Sequence, residues 1–369
     1  MANEFKDFDY VLGYELINEP FAGDFYESFS ILLPGLAGHL NLAPLYEKTA
    51  KAIREVDDQT LIFYEPVTWG YFTPMQYNEI FDMILTDAMD ALNIFTISDL
   101  VSQVCGPMQT NNETSPKEKI KNNFKYQNEQ IPVLGTGFSH VPGGPEYNNR
   151  SVLSWHYYCE LFDSKIGNNT VQSILIQIFC DSIFGPNVFE TVKVRTEEIG
   201  GGSMLTEFGL CYPNISDPLD KNTIECNRVL DLADSYFQSW TYWDFAPFWN
   251  ENGDIVQDLV SVFSRPYPMA TAGIPKKIAF DFTNKEFHFE FIIQNVSANT
   301  EPTEIFIPPL VYPNSQFDIV LSDTLSWMFS QNDPNIIFVV PKSMQTDIEM
   351  EQLVYIKIQP VVRIFRSGG

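Results

Sequence analysis

The sequence has little positive charge. Its 22 Lys and Arg stand against 48 Asp and Glu, giving a formal net charge of -26 and a pI near 4.3. Polyanionic nucleic acid would be repelled and no basic stripe offsets the repulsion, which argues against a phosphate-binding surface; anionic membrane surfaces are disfavoured for the same reason. Long apolar runs are missing too. None approaches the roughly 20 residues of a spanning helix, so stable membrane insertion is not expected, and no signal-peptide pattern opens the chain. The five cysteines lack any Cys-x-x-Cys spacing, so zinc or thioredoxin-like chemistry is not expected, and the sequence calls for no metal or cofactor. No internal repeat is evident.

What is present suits a globular chain. Apolar residues make up 44% of 369, enough for the core of an ordinary barrel, or of a truncated one with a second domain. Cys159 with Cys180 and Cys211 with Cys226 would each close a short loop beside a predicted helix, leaving Cys105 unpaired; the alternative is five buried free thiols. Sequons at Asn112, Asn149, Asn168, Asn214 and Asn295 would carry glycans in a secretory protein, although an Asn-rich chain also acquires them by chance.

The most informative stretch is Gly13-Tyr14-Glu15-Leu16-Ile17-Asn18-Glu19-Pro20. From Tyr10 to Ile17 apolar residues dominate with little alternation, as expected for a strand buried on both faces of a parallel sheet, with Pro20 stopping it. Asn18 and Glu19 then stand at the strand's carboxyl end, where parallel α/β barrels place their chemistry. A second strand-end acid is Glu207, in Ser203-Met204-Leu205-Thr206-Glu207-Phe208-Gly209 after a Gly-rich turn.

Asn-Glu-Pro after an apolar strand and a later Thr-Glu-Phe-Gly resemble the acid/base and nucleophile strands of glycoside hydrolase family 5. Longer stretches are similar to its endoglycoceramidase branch: Asn18 to Asp24, Leu33-Pro34-Gly35, Asn41 to Tyr46, Phe63 to Gly70 and Gly137 to Gly144. The resemblance implies an α/β chain holding the C-terminal part, about strands 4 to 8, of a (β/α)8 TIM barrel in residues 1–270; the alternating pattern in 271–369 reads as a C-terminal β-sandwich. It implies Glu19 as acid/base and Glu207 as nucleophile, with Asn18 bonding the sugar 2-hydroxyl. His156, Tyr158 and Trp243 match its His-x-Tyr strand and its sugar-stacking tryptophan. Phe21 departs from the pattern, since Trp is expected after Asn-Glu-Pro.

If Glu19 belongs on a fourth strand, three strands cannot fit in the 18 residues before it. The chain is therefore expected to be a fragment or gene model lacking its first barrel half and signal peptide, rather than a natural half-barrel with an unpaired sheet edge. The apolar stretch Phe25 to Leu42 reads either as a buried surface helix or as a greasy wall for a lipid-bearing substrate. A helix opening near Pro44 should bury Leu45, Thr49, Ala52, Ile53 and Val56. Thr60 to Tyr64 reads as the next strand, ending in Glu65, which could polarise a sugar hydroxyl; Trp69 either stacks on a sugar or packs. Residues 72–131 read as an insertion or a disordered loop.

Ser151 to Tyr158 reads as a strand whose period of two puts His156 and Tyr158 on one face. Helices follow over Val171 to Phe179, over Val188 to Ile199 before Gly200-Gly201-Gly202, and beside Cys226, Val229, Leu230, Ala233, Tyr236 and Phe237; Ser239 to Trp243 closes the barrel pattern. Beyond Pro268, alternating Phe287, Phe289 and Phe291 and Val354, Ile356 and Ile358 read as sandwich strands, in a module that packs or contacts carbohydrate or membrane.

A retaining glycosidase needs two carboxyl groups about 5 Å apart, one protonated and one ionised. An ionised Glu207, held by Tyr158, would raise the Glu19 pKa. The expected substrate is a glycosphingolipid, cut between its first sugar and ceramide by a monomer that meets lipid surfaces only transiently in a secreted or lysosomal/endosomal setting. The rival readings are a family 5 glycosidase on polysaccharide or on simple lipid or steryl glucosides, and an inactive glycolipid-binding fragment.

Overall fold

The computed structural model describes residues 1–24, 26–27, 31, 35–67, 135–159, 177, 180–209, 211–217, 220–293, 301–342 and 351–361. Trp69, Cys105, the 72–131 segment and nearly all of the predicted 171–179 helix lie outside the described residues. The chain divides into two compact units, Met1–His156 with Asn187–Met204, and Tyr157–Pro186 with Leu205–Gly369.

The first unit opens with the short helix α1 (Ala2–Phe5) and then β1 (Gly13–Glu15), α2 (Ala43–Arg54), β2 (Leu61–Tyr64) and β3 (Ser151–Tyr157), whose last residue passes into the second unit. The chain continues through α3 (Gly185–Ile199), β4 (Gly202–Gly209), α4 (Lys221–Ser235) and β5 (Trp240–Trp243). One sheet takes these strands in chain order, and β1–β2, β2–β3 and β4–β5 are parallel pairs. A parallel sheet in chain order with intervening helices is an α/β arrangement in which chemistry collects at the carboxyl ends of the strands.

β1 departs from its reading as a strand buried on both faces. It is three residues long and only partly buried, and Tyr10 and Leu12 are 96% and 66% exposed. Among the described residues it pairs with β2 alone. Its regular part ends at Glu15, and after one further backbone bond from Leu16 N–H to Phe63 O the chain leaves the ladder, so Glu19 stands four residues beyond the strand and Pro20 does not end it.

The buried face of α2 also differs from the expected stripe. Leu42, Tyr46 and Ala50, four residues apart, are buried, whereas Leu45, Ala52 and Val56 are exposed. Tyr46 decides the orientation: its ring packs with Tyr64 and Phe138, and its hydroxyl donates to the Glu65 carbonyl at 2.7 Å. β2 behind it is almost wholly buried and carries Glu65 next to its end. α3 ends at Gly200 and Gly201, both with φ in the left-handed region that glycine tolerates, which turns the chain into β4.

In the second unit, both Cys159–Cys180 and Cys211–Cys226 are disulfides, with Cα separations of 5.8 Å each, so the reading of five free thiols is set aside. Asp220 caps α4 by accepting from Thr223 N–H, and Cys226, Val229, Leu230 and Ala233 are buried as their spacing predicts. Phe237 is not. It is 43% exposed because the helix ends at Ser235 and the chain turns there, with Phe237 at φ 54°.

Two four-stranded antiparallel sheets follow α5 (Gln257–Phe263). One has the order β10 (Phe317–Leu321), β13 (Gln352–Pro360), β8 (Glu286–Ile293), β7 (Ile274–Asp281). The other runs β11 (Leu325–Phe329), β12 (Ile336–Pro341), β9 (Thr303–Phe306), β6 (Tyr267–Ala270), so its first strand begins before residue 271. Phe287, Phe289 and Phe291 pair with Ile358, Ile356 and Val354, and they share one core with Ile305, Ile337 and Val339 of the other sheet. Burying one such side chain contributes about 1.5–3 kcal/mol.

α4 is joined to this region by Arg265, 6% exposed, which bonds Asp231 at 2.5 Å and Asp234 at 2.9 Å, donates to the Phe280 carbonyl and lies over the Phe280 ring. Burial pushes the Asp234 carboxyl up, and Arg265 pulls it back. Arg265→Ala strands these carboxylates and is expected to cost about 3–5 kcal/mol. Thermal unfolding checks this; an unchanged midpoint would show that the pair contributes nothing to the fold.

Candidate active site

In the first unit, carboxylates gather at the strand ends. Ser154 Oγ, on β3, donates to Glu15 Oε1, at the last position of β1. Two residues along the same face of β3, His156 Nδ1 lies 2.9 Å from Glu19 Oε1 and 3.7 Å from Glu65 Oε1. Glu65 in turn accepts the Glu19 backbone N–H at 2.6 Å. The burial is graded: the His156 and Glu65 side chains are 9% and 5% exposed, that of Glu19 46%. The deep groups therefore hold a partner whose carboxyl still reaches solvent.

Burial pushes Glu65 up to about 7, His156 and the Glu19 N–H oppose the rise, and the charges of Glu15 and Glu19 add to it. The folded chain thus holds this proton more tightly than the unfolded chain does. The stability it contributes is fully present below Glu65's ordinary 4.5 and is lost as the pH rises through about 7. Glu65→Gln mimics the protonated form. It is expected to match the parent near pH 4.5 and to exceed it by about 3 kcal/mol at pH 8, read from denaturant unfolding at both pH values. A gap that does not grow with pH would show that Glu65 ionises normally.

In the second unit, Glu207 stands two residues before the end of β4 and accepts from Tyr158 Oη at 2.6 Å. Thr241 Oγ1 of β5 donates to the neighbouring Thr206 carbonyl. Close approach of the two strands requires Gly209: a Cβ there would lie 1.9 Å from the Trp243 carbonyl oxygen. Trp243, at the end of β5, is 55% exposed and is followed by Phe245 and Trp249, 74% and 40% exposed, whose rings lie 4.3 Å apart. Trp243 is joined to Asp244 by a cis peptide bond.

Residues 1–248 match the family description cellulase (glycosyl hydrolase family 5), and residues 265–354 match the glycoside hydrolase family 5 C-terminal domain. The chain belongs to glycoside hydrolase family 5. It is 29% identical over 345 residues to an endoglycoceramidase of Cyanea nozakii, covering 88% of this chain and 50% of that protein. It is 27% identical over 327 residues to one of Hydra vulgaris, covering 85% and 45%. This family 5 chain spans about half the length of the curated relatives it matches. Among solved structures, endo-glycoceramidase II from Rhodococcus sp. in its ganglioside GM3 complex superposes with a TM-score of 0.61 at 19% identity, covering 98% of this chain and 61% of that one, a likeness of fold.

Within the family 5 chain, the structure brings Glu19 together with His156, and Glu207 together with Tyr158. Asn18 is exposed beside Glu19, and Trp69 lies outside the described residues. Glu15 and Ser154 were not singled out from sequence. Their signal was available, since Ser154, His156 and Tyr158 are alternate residues of one strand and its extension, and each engages a carboxyl group. Glu15, Glu65 and His156 also bring ligand atoms within 4.8 Å of one another, but protein donors engage both carboxylates and Glu19 engages the imidazole, so the set is not assigned to a metal.

Proposed function

We propose that this chain carries both catalytic acids of a retaining glycosidase that cuts glycosphingolipids between the oligosaccharide and ceramide, on the C-terminal part of a (β/α)8 barrel. The observation that carries the reading is that each of the two acids is held by a partner: His156 engages Glu19 in the first unit, and Tyr158 engages Glu207 in the second. A retaining glycosidase needs two such carboxyl groups, one to protonate the leaving group and one to attack.

In the proposed reaction Glu207 Oε attacks the anomeric carbon as Glu19 passes its proton to the departing ceramide oxygen, giving a glycosyl ester on Glu207. Glu19 then takes a proton from water, whose oxygen attacks the anomeric carbon and frees Glu207. Tyr158 keeps Glu207 oriented, and His156 does the same for Glu19. Asn18 bonds the sugar 2-hydroxyl, and Trp243 supplies a stacking face. The curated relatives named endoglycoceramidase support the ceramide-linked substrate. So do the side chains of Phe21, Tyr26 and Leu40, 61%, 89% and 54% exposed, which follow Glu19 in the chain and which a sugar alone does not require. The enzyme acts as a monomer in a secreted or lysosomal/endosomal compartment, where its two disulfides persist. Among the described residues no helix is long and apolar enough to cross a membrane, and lipid is met at the substrate.

The test is incubation with a glucosylceramide-based glycolipid, reading ceramide and intact oligosaccharide together. Release of both supports the proposal. Hydrolysis of polysaccharide or of a steryl glucoside alone, or glycolipid binding without products, would replace it by the corresponding rival reading.

A further inference from the structure

Glu65 is deeper in the fold than either proposed catalytic acid, and the double-displacement scheme leaves it without a role. Its side chain is almost fully buried at the end of β2, and its carbonyl is fixed by Tyr46 from α2. Its carboxylate accepts the backbone N–H of Glu19, the one residue of the Asn-Glu-Pro corner with φ in the left-handed region, at 46°. L residues seldom adopt that region unless neighbouring groups impose it. The same carboxylate lies 3.7 Å from His156 Nδ1, the atom that Glu19 engages at 2.9 Å.

We propose that Glu65 is a positioning residue for Glu19. It holds the corner in its left-handed turn through the N–H bond and steadies His156, so that the exposed Glu19 carboxyl meets the leaving-group oxygen. The groups facing it are Glu15 from β1, Glu19 from the corner, His156 from β3 and Tyr46 from α2. A carboxyl suits this post because either oxygen accepts an N–H while the other faces the imidazole. A raised proton affinity, near pH 7, makes the strength of the hold pH-dependent. The inference rests on the glycosidase reading of Glu19, and its test separates the two.

Glu65→Ala is expected to lower kcat on the glycolipid about 10²-fold with little change in KM. It should leave formation of the glycosyl ester from an aryl glycoside whose leaving group needs no protonation, read as the initial release of the aryl group, within about 3-fold of the parent. Glu65→Gln keeps an acceptor for the N–H and should restore most of the loss. Equal losses on both substrates, or none, would overturn the proposal. The second arm needs no turnover. In protein labelled with 15N-glutamate, the Glu19 amide resonance, assigned by its disappearance in Glu19→Gln, should shift with pH with a midpoint near 7 and cease to do so in Glu65→Gln. An amide indifferent to pH between about 5 and 8 overturns the positioning role. A chain that hydrolyses no glycoside removes the glycosidase reading, and the Glu65–Glu19 contact is then decided by the amide alone.

Discussion

Glu207→Gln is expected to lower turnover of a glycosphingolipid by about 10⁵-fold, the order of loss seen when a catalytic nucleophile is removed, while binding remains measurable. The amide is isosteric with the carboxyl group and still accepts from Tyr158, which bonds Glu207 at 2.6 Å, so β4 and its pairing with β5 should be undisturbed. What is lost is the oxygen proposed to form the glycosyl ester. Turnover and glycolipid binding measured on one preparation, with thermal unfolding as a control for folding, separate chemistry from structure. Unchanged rates would remove Glu207 as nucleophile and leave the Tyr158 bond as a strand-end contact.

The second large effect falls on Glu19. Glu19→Ala is expected to slow hydrolysis of the natural glycolipid about 10³-fold, because ceramide leaves as a poor alkoxide unless it is protonated. An activated aryl glycoside needs no such help and should form its glycosyl ester at close to the parent rate. Hydrolysis of that ester is slowed without the base, so added azide should accelerate turnover by replacing water. If natural and activated substrates fall equally, Glu19 is not the acid/base. His156 lies 2.9 Å from the Glu19 carboxyl, so His156→Ala should give a weaker copy of the same leaving-group dependence.

Much of the local structure could be read directly from residue order. The β3 strand, with His156 and, one residue past its end, Tyr158 in a period of two, follows from the repeat of a strand. The core shared by the two antiparallel sheets follows from the same period, because Phe287, Phe289 and Phe291 alternate with less buried residues along one strand. The two disulfides lay in short loops beside helices, and both pairs are bonded. Reading failed where packing chose between similar faces. On α2 hydrophobicity favoured Leu45 and Val56, yet Tyr46 is buried because only its ring spans to β2 while its hydroxyl finds the Glu65 carbonyl. At β1 an apolar run does not report how much of the strand its neighbours cover, and Tyr10 and Leu12 are exposed.

The sequence by itself determined the family and singled out Glu19 and Glu207, and it marked a change from parallel α/β pattern to alternating strands beyond Pro268. Those features are written in short motifs and local periods, which survive without knowledge of what packs against them. Only the tertiary structure decided what surrounds Glu19. Glu15, Glu65 and His156 come from three different strands, Tyr46 from a helix, and their convergence depends on the register of β1, β2 and β3 and on which face of α2 is turned inward. Charge and burial act through distance, so the raised proton affinity of Glu65 and its hold on the Glu19 backbone exist only once those elements have met.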